Sequence, residues 1–336
     1  MRHLVETNEW SDSEIRGTLD LARSLKAGAK PPVDFRGRSM ALLFLNPSLR
    51  TRVSFVRAVE QLGGSVLAMD AGKDNWKMVM GEGVVMDGDG VEHVKDGIPV
   101  LGRYCDFLGL RAFGDMKSYA VDRKDEMIRA VARYSTVPVV NMESAMAHPC
   151  QSFADMLTIE ESGRKKPKVV LTWAPHPKAL PMAVPNSFLL LATRMGWNVA
   201  LLRPQGFDLD PDVMAMAQRH SLSSGGTLLE TDDRNKVFQG ADAVYAKSWG
   251  SMEAYGNPER EKAKKENLKE WTVDRAAMSK TSDAIFLHCL PVRRNVEVTD
   301  DVLDSAHSRV IDEAENRMHV QKAILCQLAR WNGKKE

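Results

Sequence analysis

The chain has 336 residues, with 46 lysines and arginines against 45 aspartates and glutamates, a formal net charge of +1, 43% hydrophobic residues and four cysteines. That composition excludes a disordered chain, a collagen-like repeat and a disulfide scaffold. It also argues against nucleic acid as a partner, because the cationic stretches at 163–168 and 259–265 are short and the second is interleaved with acids. Apolar runs such as Phe188-Leu189-Leu190-Leu191-Ala192 fall far short of the roughly 18 residues a membrane span needs. No continuous apolar segment follows Met1, so no signal peptide is expected. Cys105, Cys150, Cys289 and Cys326 form no CxxC pair and read as free thiols of a cytoplasmic protein.

Taken in chain order, helix and strand signals alternate, the pattern of parallel sheets covered by helices. Ser11-Asp12-Ser13-Glu14 has capping-box spacing and opens an amphipathic segment through Ile15, Leu19, Ala22 and Leu25. The run 40–45 predicts a buried strand, the turn Asn46-Pro47-Ser48 follows, and 51–62 has helical spacing that stops at Gly63-Gly64. Strands are expected at 106–110 and 137–140 around a helix at 124–134, and another helix from His148. A second series follows: strands at 168–173, 199–202, 243–246 and 285–289, helices at 184–195 and 213–220, and a last helix at about 312–330. The length fits two domains.

The chemistry concentrates in three places. Ser48-Leu49-Arg50-Thr51-Arg52 sits where a buried strand passes into a helix, and a helix N-terminus with arginines and hydroxyls suits a phosphate. His148-Pro149-Cys150-Gln151 opens a later helix, and His288-Cys289-Leu290-Pro291 follows the last predicted strand. There is no GxxxxGK[ST], no GxGxxG after a strand and no HExxH, so nucleotide, dinucleotide and zinc-hydrolase readings lose their best signatures. No cofactor and no metal site are expected.

The three motifs, in this order and separation, resemble those of the aspartate/ornithine carbamoyltransferase family over nearly the whole chain. The resemblance is closer to the N-acylornithine branch, through Lys73-Asp74-Asn75-Trp76, Met86-Asp87-Gly88-Asp89, Tyr245-Ala246-Lys247-Ser248-Trp249-Gly250 and Glu313-Ala314-Glu315-Asn316-Arg317. It implies two α/β domains, each a mostly parallel sheet flanked by helices, with the active site between them. Residues 1–147 would bind carbamoyl phosphate, with 317–336 packing back on them, and 148–316 would bind the amino acid. Ser48, Leu49, Arg50, Thr51, Arg111, His148, Pro149, Cys150, Gln151, Cys289, Leu290 and Arg317 would surround carbamoyl phosphate. Trp76 would reach in from a neighbouring subunit of a homotrimer. Thr51, Arg111, His148 and Gln151 would be catalytic, the first three holding the carbonyl oxygen as it becomes an oxyanion. Glu143, His176, Lys247, Leu290 and Arg293 would face the acceptor.

Two positions bear on which acceptor that is. Ornithine carbamoyltransferases resemble one another in an aspartate that pairs with the α-ammonium of ornithine, and this chain has Lys247 there. A lysine repels an ammonium and attracts an acylated, carboxylate-bearing substrate. Acetyl-type members resemble Asp-x-Glu-Glu-His where this chain reads Asp89-Gly90-Val91-Glu92-His93; the missing carboxylate at Val91 tilts the reading toward a succinyl group. Glu297 stands where acetyl-type members carry a lysine, carboxylated in some, and is expected to supply that negative charge unmodified. The alternatives are an ordinary ornithine carbamoyltransferase, a catalytically silent trimeric anion-binding relative, and a nicotinamide-dependent dehydrogenase. A nucleophilic Cys289 is the competing mechanism.

Overall fold

The computed structural model describes residues 1–74 and 78–333. By its internal contacts the chain divides into two compact units, one made of residues 1–114, 124–150 and 317–336, the other of 115–123 and 151–316.

In the first unit, β1 (Ser39–Phe44), β2 (Ser65–Asp70), β5 (Phe107–Arg111) and β6 (Val139–Glu143) form a parallel sheet in the order β2-β1-β5-β6. A separate two-stranded ribbon pairs β3 (Met78–Val79) with β4 (Glu92–His93). The central strands are buried along their length, as expected when helices cover both faces of a parallel sheet. Leu43, Leu108, Leu110 and Val139 pack with Val94 and Ile98 of the Val94–Tyr104 helix and with Ile128 and Val131 of the Glu126–Tyr134 helix. The Asp12–Lys26 helix carries the capping box read from the sequence: Glu14 N–H donates to Ser11 Oγ, and Ser11 N–H to the Glu14 carboxylate.

The second unit holds β7 (Lys168–Trp173), β8 (Asn198–Leu202), β9 (Thr227–Thr231), β10 (Ala243–Lys247) and β11 (Ile285–Leu287), parallel throughout, in the order β11-β10-β7-β8-β9. The Ala183–Arg194 helix is buried around most of its circumference, consistent with its unbroken apolar run. Trp173 and Trp249 are fully buried, and each indole donates to a backbone carbonyl, Trp173 to Trp249 and Trp249 to Phe207.

Several elements differ from expectation. Strand β6 begins two residues later than predicted and runs on to Glu143. Strands β2 and β9, both at sheet edges, escape the sequence reading because their side chains are half exposed and form no continuous apolar run. The Val94–Tyr104 helix contains Gly97 and Pro99, which mask its helical signal. The strand expected at 285–289 stops at Leu287, so His288 and Cys289 lie on the loop beyond it.

Residues 115–123 leave the first unit's chain to dock on the second. Tyr119 donates to Asp210, the N-cap of the Pro211–Ser224 helix, while Arg123 binds Asp210 and Asp212, the latter at 2.7 Å. Tyr255 donates to Asp122 at 2.7 Å, and its ring meets that of Tyr119 edge-on. Gly256 is required here, because its φ is +75° and a Cβ would lie 2.3 Å from the Lys117 carbonyl oxygen. Gly256→Ala is therefore expected to destabilise the protein by about 2 kcal/mol or more, read as a lowered midpoint in urea unfolding with the slope unchanged.

Candidate functional site

The helix that follows β1 begins with Ser48 as its N-cap, whose Oγ accepts the Thr51 N–H at 3.3 Å. Ser48 and Arg50 are half-buried and Leu49 is exposed, so the first turn presents backbone N–H groups and the positive end of the helix dipole at the surface of the unit. Thr51 is buried and its hydroxyl accepts from Arg317 Nη2 at 3.0 Å, which brings a residue 266 positions away to the same helix start. Arg52, the second arginine of the motif, turns aside: it pairs with Asp70 of β2 and stacks over Phe44.

Arg111 ends β5 and Glu143 ends β6, and a register shift after Leu110 places the two opposite each other. Without that shift Arg111 would face Met142, since one residue of slip reverses every side chain. The Arg111 guanidinium binds the Glu143 carboxylate and lies over the Phe113 ring at 4.5 Å. His148 Nε2 is 3.4 Å from the same Glu143 oxygen. Arg111 and His148 are both largely buried, so two donors converge on one carboxylate where little water screens them. Glu143 has φ +148°, an unusual value for a residue other than glycine, held by Asn141 Oδ1 accepting its N–H. Pro149 starts the next helix, and Cys150 is buried with its thiol near the Asn141 carbonyl. Burial pushes the Cys150 thiol up to about 12 despite the charge of Arg317, so it stays protonated at neutral pH.

In the second unit Gln151 spends both amide N–H donors on carboxylates, Asp155 and Glu313, each at 2.8 Å. Its amide oxygen is thereby fixed as the acceptor end. Glu313 also accepts the His288 N–H at 2.9 Å, so one buried carboxylate ties the His-Pro-Cys-Gln helix to the His-Cys-Leu-Pro loop. Glu313 enters the sequence reading only as part of a shared stretch; a lone acid in a helix's first turn gives no sign of such a partner.

The loop itself is set by His288. Its Nδ1 accepts the Leu290 N–H at 2.9 Å, which places the ring proton on Nε2, facing Glu297 at 3.3 Å. Glu297 also accepts the Arg293 N–H at 2.8 Å. Burial pushes the Glu297 carboxyl up, but the hydrogen bond from His288, the Lys247 charge and the Arg293 N–H outweigh it and hold it below the ordinary glutamate value. Arg293 Nε donates to His176 Nε2 at 2.9 Å, and His176 Nδ1 donates to the Lys178 carbonyl, so the imidazole is neutral; burial lowers its pKa accordingly. Lys247 ends β10, is 8% exposed, and donates to the Ser248 carbonyl at 3.0 Å rather than pointing to solvent. Cys289 is half-buried beside this network.

Thus Ser48, Leu49, Arg50, Thr51 and Arg317 gather in the first unit, as do Arg111, Glu143, His148, Pro149 and Cys150; Gln151, His176, Lys247, Cys289, Leu290, Arg293 and Glu297 belong to the second. Val91, 61% exposed, is on the segment that leads into β4. Trp76 lies outside the described residues. Among the described residues no group of three or more His, Cys, Asp or Glu side chains is arranged to hold a metal, and no helix is long and apolar enough to cross a membrane.

Because folding depresses the Glu297 pKa, its stabilising contribution is present above the unfolded-state value of about 4.3 and is lost as pH falls through the folded one. Glu297→Gln should cost about 1–3 kcal/mol at neutral pH. Thermal unfolding from neutral to acid pH should show the deficit shrinking once the parent carboxylate is protonated.

Comparisons with known proteins identify the family. Residues 2–161 match the model of the aspartate/ornithine carbamoyltransferase carbamoyl-P binding domain, and 182–328 that of the Asp/Orn binding domain. An N-acetylornithine carbamoyltransferase from Xanthomonas axonopodis pv. citri is 44% identical over 99% of this chain and 98% of its own length. An N-succinylornithine carbamoyltransferase from Bacteroides thetaiotaomicron is 41% identical over 84% of each chain. A crystal structure of N-acetyl-L-ornithine transcarbamylase with one glutamate changed to valine, complexed with carbamyl phosphate and N-succinyl-L-norvaline, superposes with a TM-score of 0.95 at 44% identity, over 98% of this chain and 100% of that one. Sequence and fold converge: the chain belongs to the aspartate/ornithine carbamoyltransferase family.

Proposed function

We propose that this chain transfers the carbamoyl group of carbamoyl phosphate to the δ-amine of an N-acyl-L-ornithine, giving N-acyl-L-citrulline and phosphate, a step of arginine biosynthesis. The observation that carries this is the pairing of Arg111 and His148 on one carboxylate at the ends of β5 and β6, in the unit that also offers the Ser48-capped helix start. Those are the donors an acyl-transfer oxyanion and a phosphate require.

The phosphate binds at Ser48, Leu49, Arg50 and Thr51, with Arg317 braced on the Thr51 hydroxyl. The carbonyl oxygen takes donors from Thr51, Arg111 and His148. The carbamoyl NH2 group, itself a donor, needs acceptors, and the orientation of Gln151 supplies its amide oxygen. The δ-nitrogen attacks the carbonyl carbon, the carbon–oxygen bond to phosphate breaks, and the leaving phosphate takes the amine proton. The transfer needs no acyl-enzyme, which favours direct attack over a nucleophilic Cys289.

The acceptor half rests on Lys247, a buried cation where free ornithine's α-ammonium would be repelled. His176 and Arg293 join it on the acceptor side, with Glu297 supplying a permanent negative charge without a modified lysine. For the acyl group we favour succinyl, because Val91 offers no carboxylate against a distal carboxylate; a relative with valine in place of a glutamate was crystallised with a succinylated ligand. We further propose a cytoplasmic homotrimer in which Trp76 completes a neighbouring subunit's site.

Offering carbamoyl phosphate with N-succinylornithine, N-acetylornithine, ornithine and aspartate in parallel tests the reading. N-succinylornithine is expected to be the best acceptor, with free ornithine about 100-fold or more behind, since like-charge juxtaposition costs several kcal/mol. Comparable turnover of free ornithine would remove the Lys247 argument, and absence of product from every acceptor would indicate a silent relative. Val91→Glu should move the succinyl-to-acetyl preference by roughly 10-fold toward acetyl, about 1.4 kcal/mol. Intact-mass measurement should give the unmodified sequence mass, whereas added CO2 at a lysine would contradict the role given to Glu297.

A further inference from the structure

We propose that Asp125 is a positioning residue for the carbamoyl-transfer reaction: its buried carboxylate holds the turn 144–147 and thereby fixes where His148 stands. The inference rests on the assignment of His148 to the carbonyl oxygen.

Asp125 lies at the entry to the Glu126–Tyr134 helix, in a left-handed conformation with φ 49° and ψ 40°. It does not cap that helix with its side chain. The carboxylate reaches across to the turn after β6 instead. It accepts the Ser144 hydroxyl at 2.6 Å, the Ala145 N–H at 2.9 Å and the Met146 N–H at 3.2 Å. Ser144 Oγ in turn accepts from Asn141 Nδ2 at 3.0 Å and from the Ala147 N–H at 3.2 Å, which fills the capacity of that hydroxyl. Asn141 uses its other contacts on the Val5 carbonyl at 3.0 Å and the Glu143 N–H.

A turn of this kind is usually exposed and mobile. Here consecutive backbone donors, one buried and one partly buried, are satisfied by one anion that comes from a different element, which favours a single arrangement of the turn. The next residue along the chain is His148. An error of about 1 Å in a group that contacts the reacting carbonyl can cost on the order of 100-fold in rate. Burial raises the Asp125 carboxyl to about 6, opposed by the donors from Ser144, Met146 and Ala145, and the nearby Glu6 charge acts in the same direction as burial. At neutral pH the group is therefore ionised in a site that penalises the charge, a cost which geometry for function would account for.

Asp125→Asn is the informative variant. Asparagine tolerates the left-handed backbone as aspartate does and removes a buried charge, so folding is preserved; its NH2 group, however, faces backbone donors. Expected is a roughly 10- to 100-fold loss of kcat with KM for the N-acylornithine unchanged, in a protein that still unfolds in one cooperative transition. In a His148→Ala background the same substitution should change kcat by less than about 3-fold, because a residue acting through His148 has nothing left to act on. Equal losses in both backgrounds, or an unchanged kcat in the first, would overturn the proposal. If the parent carbamoylates no acceptor, the assignment of function fails instead. Asp125 is then judged on 15N-histidine spectra, in which displaced His148 ring signals in Asp125→Asn support it and unchanged ones refute it.

Discussion

A single carboxylate shared by two buried donors organises the first unit. Glu143 cannot be exchanged for an uncharged side chain without leaving the Arg111 guanidinium uncompensated in a low-dielectric setting, and a broken buried pair costs far more than an intact one contributes. The arrangement in turn demands the register shift after Leu110, the unusual φ of Glu143 and the amide of Asn141 that supports it. Each is a local departure from regular sheet structure, and each faces the strand ends where open α/β sheets place their ligands. The regular part of the sheet, a continuous apolar layer from Leu43 to Leu110, supplies the rigidity against which those departures are held.

The second unit reaches a comparable result with different means. There, carboxylates act on loops rather than on cations alone: Glu313 holds the backbone of His288, Glu297 holds its ring and the backbone of Arg293, and the ring in turn holds Leu290. A loop with no regular hydrogen bonding of its own is made single-valued by acids planted on neighbouring elements. Lys247, at the end of β10, keeps its stem within the sheet's core and its ammonium on a carbonyl, so its charge has a defined place.

Much of this could be read from the residues. The apolar run at β1, the capping box at Ser11 and the helical spacing after Ser48 follow local rules that tertiary contacts reinforce. The motifs around Arg50, His148 and His288 mark the chemistry because they combine hydroxyls, cations and imidazoles at element boundaries. What was not legible is non-local. Edge strands β2 and β9 are defined by partners on one side only. That Arg52 would turn to Asp70 rather than outward depends on an edge strand the sequence did not announce. The partners of Asp125 and Glu313 were not legible either, since nothing in their local sequence encodes contacts about 20 and 162 residues away.

The first unit is assembled from three separate stretches of chain, the last beginning at Arg317. During synthesis at roughly 5–20 residues per second, that last stretch leaves the ribosome only after the whole of the second unit has been made. Until then Thr51 waits for the guanidinium that binds its hydroxyl, and the nascent chain carries the Ser48-capped helix start without its brace. A chain ending between residues 291 and 316 would therefore retain the motifs at Ser48, His148 and His288 and still lack the guanidinium that braces the Ser48-capped helix start. The brace on Thr51 forms only once the third stretch of the first unit has been made.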